Sequence, residues 1–214
     1  MKSLFIKEEI LFTGEQLLSY WSYTHHDLPG DSILAFIGPC QVDEKYIVGI
    51  DHYLKKTQIK SERMLHFLVE HFDQELEKAI LRQKLLVDIV KDKLNHRLKG
   101  DVLQRWGDDL YDTEYKLTVS ATVRTPVSTK IHLGINISSQ NTPVKARGLN
   151  DYGIDAHDIS QAVMDQYRMD MRLISEKLWK IRRVRWYRRV LTWQLIGQTR
   201  QKHFQSLVMR VLLT

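Results

Sequence analysis

The sequence predicts an α+β fold in which short strands and two long helices share one chain. Short apolar runs rich in β-branched residues lie between turn residues, the pattern of strands in a partly buried sheet. Two longer stretches, near residues 73–99 and after residue 155, repeat apolar residues every three or four positions, as amphipathic helices do. The last part of the chain, rich in basic residues and tryptophan, predicts a helical, basic C-terminal extension.

The charge distribution indicates a folded body with an appended segment. Residues 1–176 hold 22 basic and 26 acidic residues and carry a net charge of −4, whereas residues 177–214 hold ten basic residues and no acidic one. Such asymmetry is typical of a segment added to a domain. We predict one domain over residues 1–180 and an extension over residues 181–214.

The sequence also indicates the cellular compartment in which the protein is expected. Cys40 is the single cysteine, so an internal disulfide is excluded, in agreement with a reducing environment. The first residues lack the apolar core of a signal peptide. No stretch reaches the roughly 18 uninterrupted apolar residues of a membrane span. We therefore expect a cytoplasmic protein.

Strands dominate the predicted elements of the first quarter of the chain. Three apolar runs there predict strands, at residues 3–12, 32–37 and 46–50. The tetrapeptide Thr-Gly-Glu-Gln at residues 13–16 has the pattern of a capping box, in which the Thr13 and Gln16 side chains each accept a backbone amide. A short helix is expected to begin there.

The middle of the chain has the pattern of strand, helix and strand. Residues 63–72 form an alternating apolar run. Asp73 is a good N-cap for the long helix that follows, and Gly100 suits the position just after its end. Residues 102–106 are then expected to rejoin the sheet.

A second long helix is predicted to start near Asp155. Its apolar residues recur every three or four positions, and such a stripe usually faces the core. The stripe comprises Ile159, Val163, Tyr167, Met171, Ile174, Leu178 and Ile181.

Residues 102–138 bring together the polar groups that a binding site needs. An acidic turn at residues 107–111 is followed by Lys116, which opens an apolar run, and by Asn136 in a second run. A lysine that begins a buried strand, beside an asparagine and an acidic turn, predicts a polar pocket.

These motifs resemble the core of biotin protein ligases. Residues 106–111 read Trp-Gly-Asp-Asp-Leu-Tyr, residues 116–119 read Lys-Leu-Thr-Val, and residues 134–137 read Gly-Ile-Asn-Ile. The ligase segments read Trp-Pro-Asn-Asp-Ile-Tyr, Lys-Leu-Ala-Gly-Ile-Leu and Gly-Ile-Asn-Val, in the same order and with similar spacing. A long helix precedes the block in both.

The resemblance implies a set of site residues. Lys116 matches the lysine that contacts the carboxylate and the α-phosphate when an acyl adenylate forms, and we predict Lys116 and Asp109 as catalytic residues. The ligand would be ATP with Mg²⁺, bound by Asn136, Asp108 and Gly134. The second ligand would be a small carboxylic acid, and its predicted contacts are His66, Glu70, Gly38, Gln41 and Trp106.

The chain departs from the ligase pattern at several positions. It has no counterpart of the Gly-Arg-Gly-Arg-type loop that wraps the adenylate, and residues 38–41 (Gly-Pro-Cys-Gln) are the nearest candidate by position. Asp108 replaces a neutral amide, and Thr118 and Val119 replace alanine and glycine. These departures leave a second function open, a catalytically inactive ligand-binding module on the same scaffold.

A longer resemblance, over roughly residues 1–180, is to an uncharacterised family called domain of unknown function 366. Its similar segments lie at residues 26–32, 64–73 and 107–111. This resemblance implies a fold similar to class II aminoacyl-tRNA synthetases and biotin/lipoate ligases, with an antiparallel or mixed sheet flanked by helices. It implies no established activity.

Two other kinds of site, a cysteine nucleophile and a metal site, have simpler structural alternatives. Cys40 would act as a nucleophile only beside a base, and a buried inert cysteine is commoner. A metal site is not predicted, because the spacing of the available histidines and carboxylates is not a known ligand signature. Those residues are His66, Glu70 and His71, joined by His25, His26 or Asp31.

The basic extension suggests a partner of its own. Trp179, Trp186 and Trp193 are seven residues apart and have arginines between them, which suits a helix that binds RNA or an anionic membrane surface. We favour the alternative in which this stretch packs on the body or on a second subunit, as in a homodimer.

Overall fold

The structure is a computed structural model that describes residues 1–140 and 142–182. The chain forms two compact units, Met1–Ile174 and Ser175–Thr214. Because the described residues end at 182, the predicted extension over residues 181–214 lies almost entirely outside them, and so do Trp186 and Trp193. The site described below belongs to the first unit.

Eight strands and four α-helices make up the described chain. The strands are β1 (Lys2–Ile6), β2 (Ser32–Gln41), β3 (Lys60–His71), β4 (Gln104–Trp106), β5 (Asp109–Asp112), β6 (Tyr115–Lys116), β7 (Thr118–Arg124) and β8 (Thr129–Asn136). The helices are α1 (Trp21–His26), α2 (Ile50–Leu54), α3 (Leu76–Leu98) and α4 (Ala156–Lys180). Short 3₁₀ turns lie at Glu15–Leu17, Glu44–Tyr46 and Leu149–Tyr152.

The main sheet is mixed and has the order β1-β2-β3-β8-β7. The β1–β2 pair is parallel, and the other neighbours are antiparallel. A second, three-stranded sheet has the order β4-β5-β6. The α+β class and the mixed sheet flanked by helices are thus as predicted.

One face of the main sheet packs against α3 and α4. Side chains such as Phe67 and Leu133 from the sheet meet Val90 from α3 and Val163 from α4, and all four are fully buried. Each buried side chain of this size contributes about 1.5–3 kcal/mol of hydrophobic stabilisation. This layer is the larger of the two hydrophobic cores of the first unit.

The opposite face of the main sheet is covered by the segment between β1 and β2. Phe12, Leu17 and Trp21 from this segment pack on Leu34 and Phe36 of β2. This face also carries the ionisable side chains of His66, Glu70, Lys130 and His132 on β3 and β8, which are described with the site below.

The first predicted strand and the capping box are confirmed in part. The strand ends at Ile6, and the chain then follows β2 only loosely, with the amides of Ile10 and Phe12 donating to carbonyls at residues 37 and 39. The Gln16 side chain accepts the Thr13 amide at 3.1 Å, as predicted. The Thr13 hydroxyl instead accepts the amide of Glu15.

The predicted strand at residues 46–50 is wrong. This part of the chain forms a 3₁₀ turn and then α2, and Val48, Ile50 and Leu54 are exposed. The apolar residues find no sheet partner, because residues 42–59 leave the sheet between the end of β2 and the start of β3.

The first long helix ends near Lys99, as predicted, but it starts later than predicted. Asp73 does not cap α3, because its carboxylate pairs with Arg82 at 2.7 Å and with Lys78 at 3.0 Å. The helix begins after Glu75 instead. At its other end Lys99, not Gly100, takes the left-handed conformation, with φ of 55°.

The segment at residues 102–106 does not rejoin the main sheet as predicted. It forms β4, which pairs with β5 in the small sheet. The reason is the turn at Gly107, which has φ of 65° and sends the chain straight back as a hairpin. This hairpin brings the acidic turn and Lys116 onto one small sheet.

The second long helix starts where it was predicted, and its stripe is core only in the first half. Ile159, Val163 and Tyr167 are fully buried, whereas Ile174 is 48% exposed. Leu178 belongs to the second unit and is exposed. Within the described ranges, no helix combines the length and the apolar composition that crossing a membrane requires.

Candidate functional site

Lys116 and Asp109 form an ion pair on the small sheet. Lys116 Nζ lies 2.7 Å from Asp109 Oδ2, and their side chains are 27% and 15% exposed. Burial raises the pKa of the Asp109 carboxyl, while Lys116 opposes this shift. Thr118 fixes the aspartate from the other side, because its hydroxyl accepts the amide of Leu110 and donates to Asp109 Oδ1 at 3.4 Å.

The backbone of Lys116 is held by a segment that follows β8. The Lys116 amide donates to the Lys145 carbonyl at 3.0 Å, and the Arg147 amide donates to the Lys116 carbonyl at 3.1 Å. Arg147 also pairs with Asp112 and lies over the ring of Tyr115. Both backbone groups of Lys116 are therefore held by this segment, which fixes the position from which its side chain extends.

Asn136 links Lys116 to the main sheet. It is the last residue of β8 and is buried, and its Oδ1 accepts a hydrogen bond from the Ser61 hydroxyl at 3.0 Å. Its Nδ2 contacts the Lys116 carbonyl at 3.5 Å, and its amide donates to the Leu117 carbonyl. The structure thus brings Lys116, Asp109 and Asn136 together.

A cavity of ≈ 550 Å³ reaches Ser61, the hydrogen-bond partner of Asn136, although Lys116, Asp109 and Asn136 do not line it. It lies between the end of β2, the start of β3 and the segment after β8. Ser61, the partner of Asn136, forms part of its wall, and so does Gln41, which was predicted to contact the substrate. The remaining lining residues are Pro39, Cys40, Gln58, Lys60, Glu62, Thr142 and Pro143.

Asp108 and Trp106 lie on the outer side of the small sheet. Asp108 is exposed, and its carboxylate pairs with Lys84 of α3 at 2.7 Å. Lys84 thereby offsets the negative charge that Asp108 adds to the acidic turn. Trp106 is 78% exposed and its ring lies 5.9 Å from that of Tyr111. Ligand contacts of these two residues stay a prediction.

His66 lies in the covered face of the main sheet and has no exposed surface. Its Nε2 is 3.2 Å from the Gly38 carbonyl, which can only accept, so Nε2 carries the proton. Its Nδ1 therefore accepts from His132 Nε2 at 3.0 Å. Burial lowers the pKa of His66 to about 4 and that of His132 well below its ordinary value, so both rings are neutral.

Glu70 is on the same face as His66, as the alternation of β3 predicts, and is buried in an ion pair. Its Oε2 lies 3.3 Å from Lys130 Nζ, and its Oε1 accepts from the Ser128 hydroxyl and the Tyr20 amide. Lys130 also donates to the Leu18 carbonyl, and burial lowers its pKa. The polar atoms of Glu70 and His66 are thus occupied by protein groups.

Cys40 and His71 have structural roles. Cys40 is 1% exposed, and burial raises the pKa of its thiol to about 12, which does not suit a nucleophile. His71 donates from Nδ1 to Asp31 and accepts from the Tyr167 hydroxyl at its Nε2. This chain of hydrogen bonds ties α4 to the C-terminal end of β3.

Sequence reasoning missed Lys130, His132 and Ser61. Lys130 and His132 alternate with Gly134 and Asn136 along β8, and this period of two was a signal that they share one face with Asn136. Ser61 has no local signal, because its role depends on the pairing of β3 with β8.

Comparisons with solved structures show the fold. A protein of unknown function from Pyrococcus horikoshi superimposes with a TM-score of 0.80 at 29% identity, over 86% of this chain and 100% of that chain. A biotin protein ligase from Aquifex aeolicus in complex with biotin and ATP gives a TM-score of 0.58 at 16% identity, over 81% and 72%. A T. acidophilum protein proposed to be a lipoate protein ligase, with bound lipoic acid, gives 0.50 at 11%, over 80% and 87%.

Comparisons of sequence show the family. An uncharacterised protein of Methanocaldococcus jannaschii is 36% identical over 188 residues, which is 84% of each chain. The family described as "Domain of unknown function (DUF366)" matches residues 1–182. This chain, with a fold like that of the biotin and lipoate ligases, therefore belongs to the DUF366 family.

Proposed function

We propose that the protein binds ATP and a small carboxylic acid and joins them as an acyl adenylate. The observation that carries the proposal is the ion pair of Lys116 and Asp109 beside Asn136. It stands on a fold shared with a ligase that binds biotin and ATP and with a protein that binds lipoic acid. ATP is abundant in the cytoplasm, where we expect the protein to work.

The chemistry requires a fixed cation. A carboxylate oxygen of the acid bonds to the α-phosphorus of ATP, the bond from that phosphorus to the β-bridging oxygen breaks, and pyrophosphate leaves. Negative charge grows on the phosphoryl oxygens during this step. An ammonium group held in place, as that of Lys116 is, stabilises such charge most when it needs no reorganisation.

Mg²⁺ would accompany the nucleotide. This ion prefers one or two carboxylates together with phosphate oxygens. Asp109 fits that preference, because one of its oxygens pairs with Lys116 and the other accepts only a long hydrogen bond of 3.4 Å from Thr118. Bound there, the ion would neutralise phosphate charge.

A thermal-shift screen tests the proposal. MgATP should raise the melting temperature of the full-length protein, and an acid that fits should raise it further. Lys116→Ala should remove most of the MgATP-dependent shift. Lys78→Ala is the matched control, because Lys78 forms a comparable ion pair with Asp73 away from the site. No shift with MgATP in the wild-type protein would refute the proposal.

A binding module without turnover is the second candidate. It is favoured by residues 38–41 (Gly-Pro-Cys-Gln), the nearest candidate for the Gly-Arg-rich loop of the ligases, because they contain no arginine. Isotope exchange between pyrophosphate and ATP separates the two functions. Exchange that depends on an added acid supports the ligase, and acid binding without exchange supports the module.

A further inference from the structure

We infer that the acid used at this site is polar and lies in the cavity at the ends of β2 and β3, and that an apolar chain is rejected. The inference rests on the proposed function and adds a substrate class to it. It follows from the surroundings of Asn136. Protein side chains fill the space on one side of this residue, and the other side leads to the cavity.

The inner side of Asn136, along the covered face of the main sheet, is filled by aromatic rings. The ring of Phe12 stacks on that of His132 with centroids 3.7 Å apart, and on that of His66 at 5.2 Å. Phe36 also stacks on His66, with centroids 4.8 Å apart. All four residues are at most 3% exposed. An acyl chain laid along this face would have to displace the stack.

Two glycines beside the stack leave no room either. A side chain at Gly38 would overlap the Ile10 carbonyl, so the segment before Phe12 lies directly on β2. A β-carbon at Gly134 would lie 2.7 Å from Met64 Cε, so the methionine already occupies that space. Glycine in a strand often marks such a close approach. Here the space is taken by the protein's own chain.

On its outer side Asn136 bonds to Ser61, which lines the ≈ 550 Å³ cavity. Most of the lining residues are polar, namely Gln41, Gln58, Lys60, Ser61, Glu62 and Thr142, and the others are Pro39, Cys40 and Pro143. Ser61 is 4% exposed and connects this wall to Asn136, which in turn contacts Lys116. A polar acid can pair with these groups, whereas an apolar chain would leave them without partners.

Discrimination of this kind is strong. A site built from hydrogen-bonding groups rejects an apolar analogue by large factors, because its polar groups lose water and gain nothing. We therefore expect polar acids to bind at least about tenfold more tightly than apolar acids of similar size.

Calorimetric titration of the full-length protein tests the inference. Glutamine and malate serve as polar probes, octanoate and lipoate as apolar probes, each with MgATP present. We expect binding of a polar probe and none of the apolar probes. Tighter binding of octanoate or lipoate would overturn the inference, and so would binding of no probe when MgATP alone binds. A failure of MgATP itself would instead refute the proposed function.

A pair of variants locates the filled side. Phe12→Leu removes ring volume next to the site, and Phe67→Leu makes the same change on the helix-covered face. Octanoate should bind the Phe12→Leu protein at least about tenfold more tightly than the wild type, by analogy with apolar cavities that accept apolar ligands. The Phe67→Leu protein should show no gain. Equal affinities in all three proteins would show that Phe12 does not exclude the chain.

Discussion

At the scale of single residues, the site is a set of charges that the protein has already paired. Lys116 is neutralised by Asp109, Asp108 by Lys84, and Arg147 by Asp112. A phosphate or carboxylate that binds Lys116 must therefore compete with Asp109. Because of this competition, the exposure of Lys116 does not by itself show whether it binds a ligand. Substitution of Lys116 is therefore the direct test.

The buried pair of Glu70 and Lys130 gives a sharp prediction of stability. Lys130→Ala leaves the Glu70 carboxylate buried without a cation, and such a change costs about 3–5 kcal/mol. The double variant Lys130→Met with Glu70→Gln should recover much of this loss, because no isolated charge remains. Urea denaturation of the three proteins measures both effects. Equal stability of Lys130→Ala and the wild type would show that the pair contributes nothing.

The two buried histidines predict a pH dependence. The pKa of His66 is about 4 in the folded protein and 6.5 when unfolded, so the unfolded chain binds more protons between these values. Stability is therefore complete above pH 6.5 and falls as the pH drops towards 4. The loss from His66 is roughly 3 kcal/mol over this range, and His132 adds to it.

Chemical denaturation at pH 7 and at pH 4.5 measures this dependence. The double variant His66→Leu with His132→Leu should lose less stability between the two pH values than the wild type does. Equal stability of the wild-type protein at both pH values would contradict the conclusion that the buried rings of His66 and His132 are neutral.

At the scale of elements, the site depends on short strands that pair across turns. The β4–β5–β6 sheet puts Lys116 opposite Tyr111, and Asp109 lies two residues before Tyr111 on β5. Thr113, in the turn between β5 and β6, takes a positive φ of 54°. The Lys145–Arg147 segment adds a further rung beside Lys116. No single element carries the site, so it forms only with the whole unit.

The C-terminal end of α3 offers an element-scale prediction. Lys99 takes the left-handed conformation that glycine adopts without strain. Lys99→Gly should therefore stabilise the protein by roughly 0.5–1 kcal/mol. As the control, Asp92→Gly in the middle of the same helix should destabilise it. Thermal denaturation compares the two, and a less stable Lys99→Gly protein would contradict the assigned helix end.

At the scale of the whole molecule, the elements that have a repeating apolar pattern were predicted well. The strand predicted at residues 63–72 lies within one to three residues of β3, and α4 starts at Ala156. The apolar run at residues 46–50 misled, since a run of residues does not reveal whether a neighbouring strand is there to pair with it.

The candidate site was predictable only where its residues are close in sequence. Asp109, Lys116 and Asn136 lie in motifs of one stretch, and the structure brings them together. Ser61 reaches Asn136 across 75 residues of chain, and the filling of the inner side by Phe12 depends on a segment far from either. Such contacts are set by strand register, which local patterns do not contain.

Calorimetric titration with MgATP tests the central claim most directly. The wild type and Lys78→Ala should bind MgATP with the same affinity, and Lys116→Ala should bind it about 10- to 100-fold more weakly, as expected for a lost charge-assisted contact. If Lys116→Ala binds MgATP as tightly as the wild type does, Lys116 is not a nucleotide contact and the proposed site is wrong.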